Sequence, residues 1–128
     1  MEKIINLTLH EATEDQLKEG VENYKDMEVL KKVLTFIDIP DCKYLKYVAD
    51  RLTNIAKLGG YKKAMIGGAV YFMPVLEKAL LREGITVCYA FSKRVCEETP
   101  LPDGSVEKKY IFKHLGFYEV KPDEQTEG

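Results

Sequence analysis

The sequence predicts an α/β fold, a Rossmann-like three-layer sandwich with a mainly parallel sheet and a C-terminal β-hairpin. Three observations carry that expectation. Short apolar runs such as Ile4-Ile5-Asn6-Leu7, Lys63-Ala64-Met65-Ile66 and Thr86-Val87-Cys88-Tyr89-Ala90-Phe91 are near-continuous, as in strands covered on both faces. Between them lie longer stretches with apolar residues three and four apart, the spacing of crossover helices. Late in the chain, Pro102-Asp103-Gly104 separates two extended runs, a hairpin signal.

Taken in order, Ile4 to Leu7 is the first strand and Thr8 to Ala12 a loop. Thr13-Glu14-Asp15-Gln16 has the form of a capping box, so a helix of modest length runs from there toward Gly20. Within the stretch from Val21 to Asp38, the spacing of Met27, Leu30, Val33 and Leu34 favours a short helix. Leu45, Val48, Ala49, Leu52, Ile55 and Ala56 make an amphipathic helix that opens at Asp41 and stops at Gly59-Gly60. Lys63 to Ile66 reads as a central parallel strand ending in Gly67-Gly68. Tyr71 to Arg82 follows as a helix, with Pro74 tolerable in its first turn. Thr86 to Phe91 is the next strand and leads into Ser92-Lys93-Arg94. Val95 to Thr99 and Val106 to Phe112 flank the hairpin turn, and the hairpin either extends the sheet or crosses over a partner subunit.

The 128 residues suffice for one core, and the expected division is a single domain over 1–120 with a flexible acidic tail over 121–128. With 45% hydrophobic and 31% charged residues the chain has the balance of a soluble globular protein. Its net charge of -2 argues against coating long nucleic acid, so any such ligand is short and held locally. No apolar run approaches a membrane span, and the start Met1-Glu2-Lys3-Ile4-Ile5-Asn6 does not resemble a signal peptide. Cys42, Cys88 and Cys96 form no CxxC pair, which disfavours a disulfide framework and a zinc site and suits a reduced, cytoplasmic setting. The carboxylates show no metal-ligand spacing, so no metal and no cofactor is expected.

In an open parallel sheet the ligand lies beyond the carboxyl ends of the strands. Three segments fall there: Thr8 with His10, Gly67-Gly68-Ala69 with Tyr71, and Ser92-Lys93-Arg94. Glycines before a helix let the backbone approach a phosphate and expose amide donors, although the same pair also serves a plain tight turn. It is neither a Walker loop nor a full GxGxxG fingerprint. Lys93 and Arg94 suit a phosphodiester, or simply solvate a strand end. Thr8 can orient a phosphate or a ribose hydroxyl, and His10 can act as a base or remain a solvated loop histidine. Tyr71 can stack a base; Phe72 reads more as core. His114 fits a packing or interface position in the late strand.

The blocks Ile4-Asn6-Leu7-Thr8-His10 with Thr13 and Gln16, Met65-Ile66-Gly67-Gly68-Ala69, Tyr89-Ala90-Phe91-Ser92-Lys93-Arg94, and Asp103-Gly104-Ser105 with Phe112-Lys113-His114 occur in this order. Together they resemble the small stand-alone Csx-type CRISPR accessory proteins related to the CARF domain, a Rossmann-like sensor of cyclic oligoadenylates. Val70 departs from that pattern, and residues 21–40 match none of it. The resemblance implies an antiviral-defence protein that binds, and as a ring nuclease cleaves, cyclic oligoadenylate without a metal. It implies Lys93, Arg94, His10 and Ser92 at the reaction and Thr8, Gly67, Gly68, Ala69 and Tyr71 around the ligand. A homodimer would match the near-fourfold ring. Two alternatives stand beside it: a non-catalytic sensing module of the same fold, and an unrelated enzyme acting on a small nucleotide or sugar phosphate.

Overall fold

The computed structural model describes residues 2–122; of the expected tail over 121–128, all but the first two residues lie outside that range. The elements are β1 (Ile4–Leu7), α1 (Glu14–Lys18), β2 (Val21–Asn23), α2 (Met27–Leu34), α3 (Cys42–Leu58), β3 (Lys63–Ile66), α4 (Met73–Arg82), β4 (Thr86–Pro100) and β5 (Val106–Val120). They form a mixed α/β structure around one five-stranded sheet of order β2-β1-β3-β4-β5. The first three pairings are parallel and β4 with β5 is antiparallel.

Each local start is set by chemistry the sequence displays. Thr13 caps α1, accepting from the Gln16 amide while the Gln16 side chain accepts from the Thr13 amide. Asp26 and Asp41 cap α2 and α3 through the amides of Val29 and Tyr44. Pro74 sits in the first turn of α4, where no intrahelical amide bond is lost.

The two faces of the sheet are covered unequally. On one face, Ile5, Leu7, Ala64, Ile66 and Val87 pack beneath α2, α3 and α4, including Leu30, Val48, Leu52, Phe72, Leu76 and Leu80, all fully buried. On the other, Ile4, Val21, Met65 and Cys88 make a small cluster with Ala12 and Phe117. Helix α1 lies on that side and buries none of its own residues.

Four boundaries differ from the sequence reading, the simplest being that of α4, which starts at Met73 rather than at Tyr71. Val21–Asn23 is a strand, parallel to β1 at the sheet edge, where the sequence predicted only a short helix carrying Met27, Leu30, Val33 and Leu34, which α2 is. Three residues with one buried side chain are too few to show a period. The strand read as Thr86 to Phe91 does not end there: β4 runs on to Pro100, and β5 runs from Val106 to Val120 rather than to Phe112. Because β3 pairs with Thr86 to Tyr89, the rest of β4 has, among the described residues, β5 as its sole strand partner. The outer part is therefore a free two-stranded arm, turned at Asp103-Gly104, with Gly104 at φ +87°. Where the arm leaves the body a β-bulge falls between Phe91 and Ser92, opposite Gly116 at φ +148°.

A candidate ligand cleft at the carboxyl edge

The loops after β1 and β3 meet beyond the strand ends. They enclose a cleft of about 430 Å³, lined by Thr8, Leu9, His10, Glu11, Thr13, Gln16, Met65 to Gly68, Tyr89 and Ala90. Two of the three expected segments therefore converge.

The β1 loop is pinned by one fully buried side chain. Asn6 donates through Nδ2 to the His10 carbonyl at 2.7 Å and to Asn23 Oδ1 at 2.9 Å. Its Oδ1 accepts from the Thr8 amide at 2.9 Å and the Thr8 hydroxyl at 2.7 Å. Asn23 in turn accepts from the Ala12 amide at 2.9 Å. Both ends of the Asn6 amide are thus satisfied, as a buried polar group requires. Sequence reasoning missed Asn6 as a determinant of the site, although an asparagine inside an apolar strand was the available signal.

Those bonds define what Thr8 can do. Its proton is committed to Asn6, with the His10 carbonyl 3.0 Å away as a second acceptor. The hydroxyl oxygen already accepts from the His10 amide at 3.3 Å and keeps one lone pair for a ligand hydroxyl, which suits a ribose better than a phosphate. His10 is exposed on the cleft wall and Glu11 is next to it.

After β3, Gly68 adopts φ +138°, a conformation that excludes side chains with a Cβ. Gly67 is not so constrained; a Cβ there would meet Thr8 Cγ2 at an ordinary 3.6 Å. Among the described residues the amides of Gly68, Ala69, Val70 and Tyr71 donate to no protein acceptor, so the turn into α4 presents free donors. Ala69 itself packs against the core and is not part of the cleft wall. Tyr89 closes the floor. Its hydroxyl donates to Glu77 at 2.7 Å, and burial, then this bond and the Glu77 charge, hold the phenol protonated well above its usual range.

Two expected placements are corrected. Tyr71 faces away from the cleft; its ring centroid is 5.6 Å from that of Phe36, and it lines a separate apolar depression with Ile37 and Ile39. Ser92, Lys93 and Arg94 are not a turn at the end of a strand: all three lie within β4 at the root of the arm, and the cleft wall stops at Ala90. Arg94 lies over the Tyr110 ring, 4.2 Å from its centroid. Continuous burial ends at Tyr89, the apolar run carries on through the exposed Ala90 and Phe91, and backbone pairing continues beyond both.

Phe72 is fully buried core. His114 lies in β5, its side chain only 5% exposed, paired in register with Ser92 and packed edge-on against Phe117. Burial pushes the Cys88 thiol up to about 12, with the Glu119 carboxylate adding to it, so it is an inert core group. Among the described residues no three His, Cys, Asp or Glu side chains converge as metal ligands, and no helix is long and apolar enough to cross a membrane.

Fold and cavity define an α/β protein with a mostly parallel sheet and an open cleft beyond the carboxyl ends of β1 and β3. Residues 2–118 match the family model described as the Uncharacterized protein MJ1673 family, and the chain belongs to that family. No curated protein and no solved structure matches it.

Proposed function

We propose that this cleft binds a cyclic oligoadenylate, and that the protein acts in the cytoplasm in antiviral signalling of the CRISPR-associated kind. The observation that supports the reading is the convergence of the Thr8–His10 loop with the free amides that begin at Gly68. Backbone amides ahead of a helix suit a phosphate, and the Thr8 oxygen suits a ribose hydroxyl. Such a ligand needs no basic surface, in keeping with the net charge of -2. The cleft is near the lower end of the roughly 300–1,000 Å³ usual for ligand sites. It accommodates a nucleotide-sized part of a ring, so a ring calls for a second copy in a homodimer. A Rossmann-like three-layer frame, with α1 as the thin third layer, belongs to the same reading.

Cleavage would follow by in-line attack of a ribose 2′-oxygen on its neighbouring phosphorus. The bond from phosphorus to the 5′-oxygen breaks, a 2′,3′-cyclic phosphate forms, and the proton lost by the 2′-hydroxyl is balanced by one gained at the 5′-oxygen. His10 is the cleft group able to take the first proton, and no metal is needed. Lys93 and Arg94 would have to supply phosphoryl charge stabilisation from the arm root, with Ser92 orienting the backbone.

That both cations stand outside the cleft wall favours a second reading, a sensor that binds without cleaving. Labelled cyclic tetra-adenylate incubated with the protein in EDTA, alongside a thermal-shift series that includes mononucleotides, separates the cases. Stabilisation with a 2′,3′-cyclic phosphate product supports the nuclease, and stabilisation without product supports the sensor. Stabilisation by a mononucleotide alone points to an enzyme of small phosphates, and no stabilisation by any of them rejects the proposal.

A further inference from the structure

The arm formed by residues 92–100 and 106–114 carries exposed apolar side chains on a two-stranded support. A two-stranded ribbon is marginal in water without a surface to pack on. Fifteen-residue strands such as β4 and β5 span about 50 Å, and only their inner ends lie on the body. Yet the arm carries Phe112, 78% exposed, with Tyr110 and Val106 also largely open. Long open edges and bare aromatics of this kind are usually covered in a native protein.

The register shows which side chains share a face. Arg94 pairs with Phe112, Cys96 with Tyr110, Glu98 with Lys108 and Pro100 with Val106. Side chains two apart on a strand share a face, so these four rungs form one side of the ribbon, and the position of Arg94 over Tyr110 agrees. Lys93, Val95, Glu97 and Thr99, with Glu107, Lys109, Ile111 and Lys113, form the other. The first side has an aromatic centre, a cation toward the body at Arg94 and a carboxylate toward the tip at Glu98, two residues either side of Cys96. Reversing the ribbon end for end about the Cys96–Tyr110 rung exchanges the position of Arg94 with that of Glu98. The face is therefore complementary to itself, the condition for an isologous contact.

We propose that two copies of this chain pair arm against arm, antiparallel, through this face. Arg94 of each copy lies opposite Glu98 of its partner, and the Cys96–Tyr110 rung sits on the twofold axis. Phe112 is then covered by the Lys108 stem of the other copy, an alkyl chain whose charged end remains in water. The pairing stands on the arm alone and does not rest on the nucleotide reading.

Charge exchange tests it on the full chain, with mass in solution measured by light scattering across a micromolar concentration series. The unaltered protein is expected at the mass of two copies. Arg94→Glu and Glu98→Arg each set like charges against each other and are expected to halve that mass. The combined variant Arg94→Glu/Glu98→Arg restores opposite charges and is expected to recover it, which a merely misfolded arm would not. A short bismaleimide should join two copies of the Cys42→Ser protein through Cys96 and should fail with Cys96→Ser; both thiols are exposed, so Cys42 is the internal control. A single-copy mass for the unaltered protein, a two-copy mass that persists in both single variants, or cross-linking that survives loss of Cys96 would each overturn the proposal.

Discussion

At the scale of single residues the cleft depends on one backbone angle and one amide. Gly68 at φ +138° cannot accept a Cβ without strain, whereas Gly67 can. Gly68→Ala is therefore expected to cost roughly 1–3 kcal/mol of unfolding free energy. Gly67→Ala should leave stability within about 0.5 kcal/mol. Urea unfolding of both variants checks this, and equal losses would mean the turn is not where the strain lies. Asn6→Asp keeps the acceptor and removes the donor that holds the His10 carbonyl and Asn23. It is expected to cost about 1–3 kcal/mol and to expose the β1 loop to protease. An uncleaved loop at unchanged stability would contradict the role given to Asn6. The paired glycines were legible because a strand, two glycines and a helix in succession leave few conformations. Asn6 was less so, since a buried amide declares its partners only once the chain is folded. Tyr71 was misdirected for a related reason: periodicity locates an aromatic at a helix start but not the neighbour it turns to, here Phe36.

At the scale of elements, caps and periods were readable and extensions were not. The Thr13 box set α1, the Asp41 cap with the run from Leu45 to Ala56 set α3, and both helices formed where that chemistry put them. An apolar run does not report how far a strand extends: the run stops at Phe91, two residues past the end of continuous burial at Tyr89, and nine more residues keep the pairing of β4. That error carried Ser92, Lys93 and Arg94 from a supposed turn to the root of an arm. The same root holds His114, whose Nε2 is 3.3 Å from Glu19 Oε1 while neither ring nitrogen makes a hydrogen bond among the described residues. The ring thus acts chiefly as a flat packing group between α1 and Phe117, at the cost of two unsatisfied buried nitrogens. His114→Phe keeps the shape and removes that penalty, so its unfolding midpoint should match or exceed that of the unaltered protein. His114→Ala removes the packing and should lose roughly 1–3 kcal/mol. If Phe proved as damaging as Ala, the imidazole nitrogens would have to be making bonds that the geometry does not contain.

At the scale of the whole molecule, the protons of Cys88, Tyr61, Tyr89 and Lys63, held by burial and by neighbouring carboxylates, bear on stability at high pH. Cys88 is raised from 9.0 to about 12 by burial first and then by Glu119. Tyr61 is raised from 10.0 to about 12 by burial and then by its 2.7 Å bond to Glu22, and Tyr89 moves the same way beside Glu77. Lys63 is raised above 10.5, chiefly by its 2.7 Å bond to Glu119. In every case the folded chain holds its proton more tightly than the unfolded chain. The contribution is then complete below the unfolded value and is lost as pH rises toward the folded one. Stability should accordingly begin to fall near pH 9.0, where unfolded Cys88 starts to ionise, and continue falling toward about 12. Cys88→Ala and Tyr61→Phe each remove one such proton, so their urea midpoints should decline less steeply across that window than those of the unaltered protein. The slope is the diagnostic quantity, because packing lost in either variant lowers the whole curve without tilting it. A midpoint that stays flat through the window, or slopes unchanged in both variants, would show that these protons are not held by the fold.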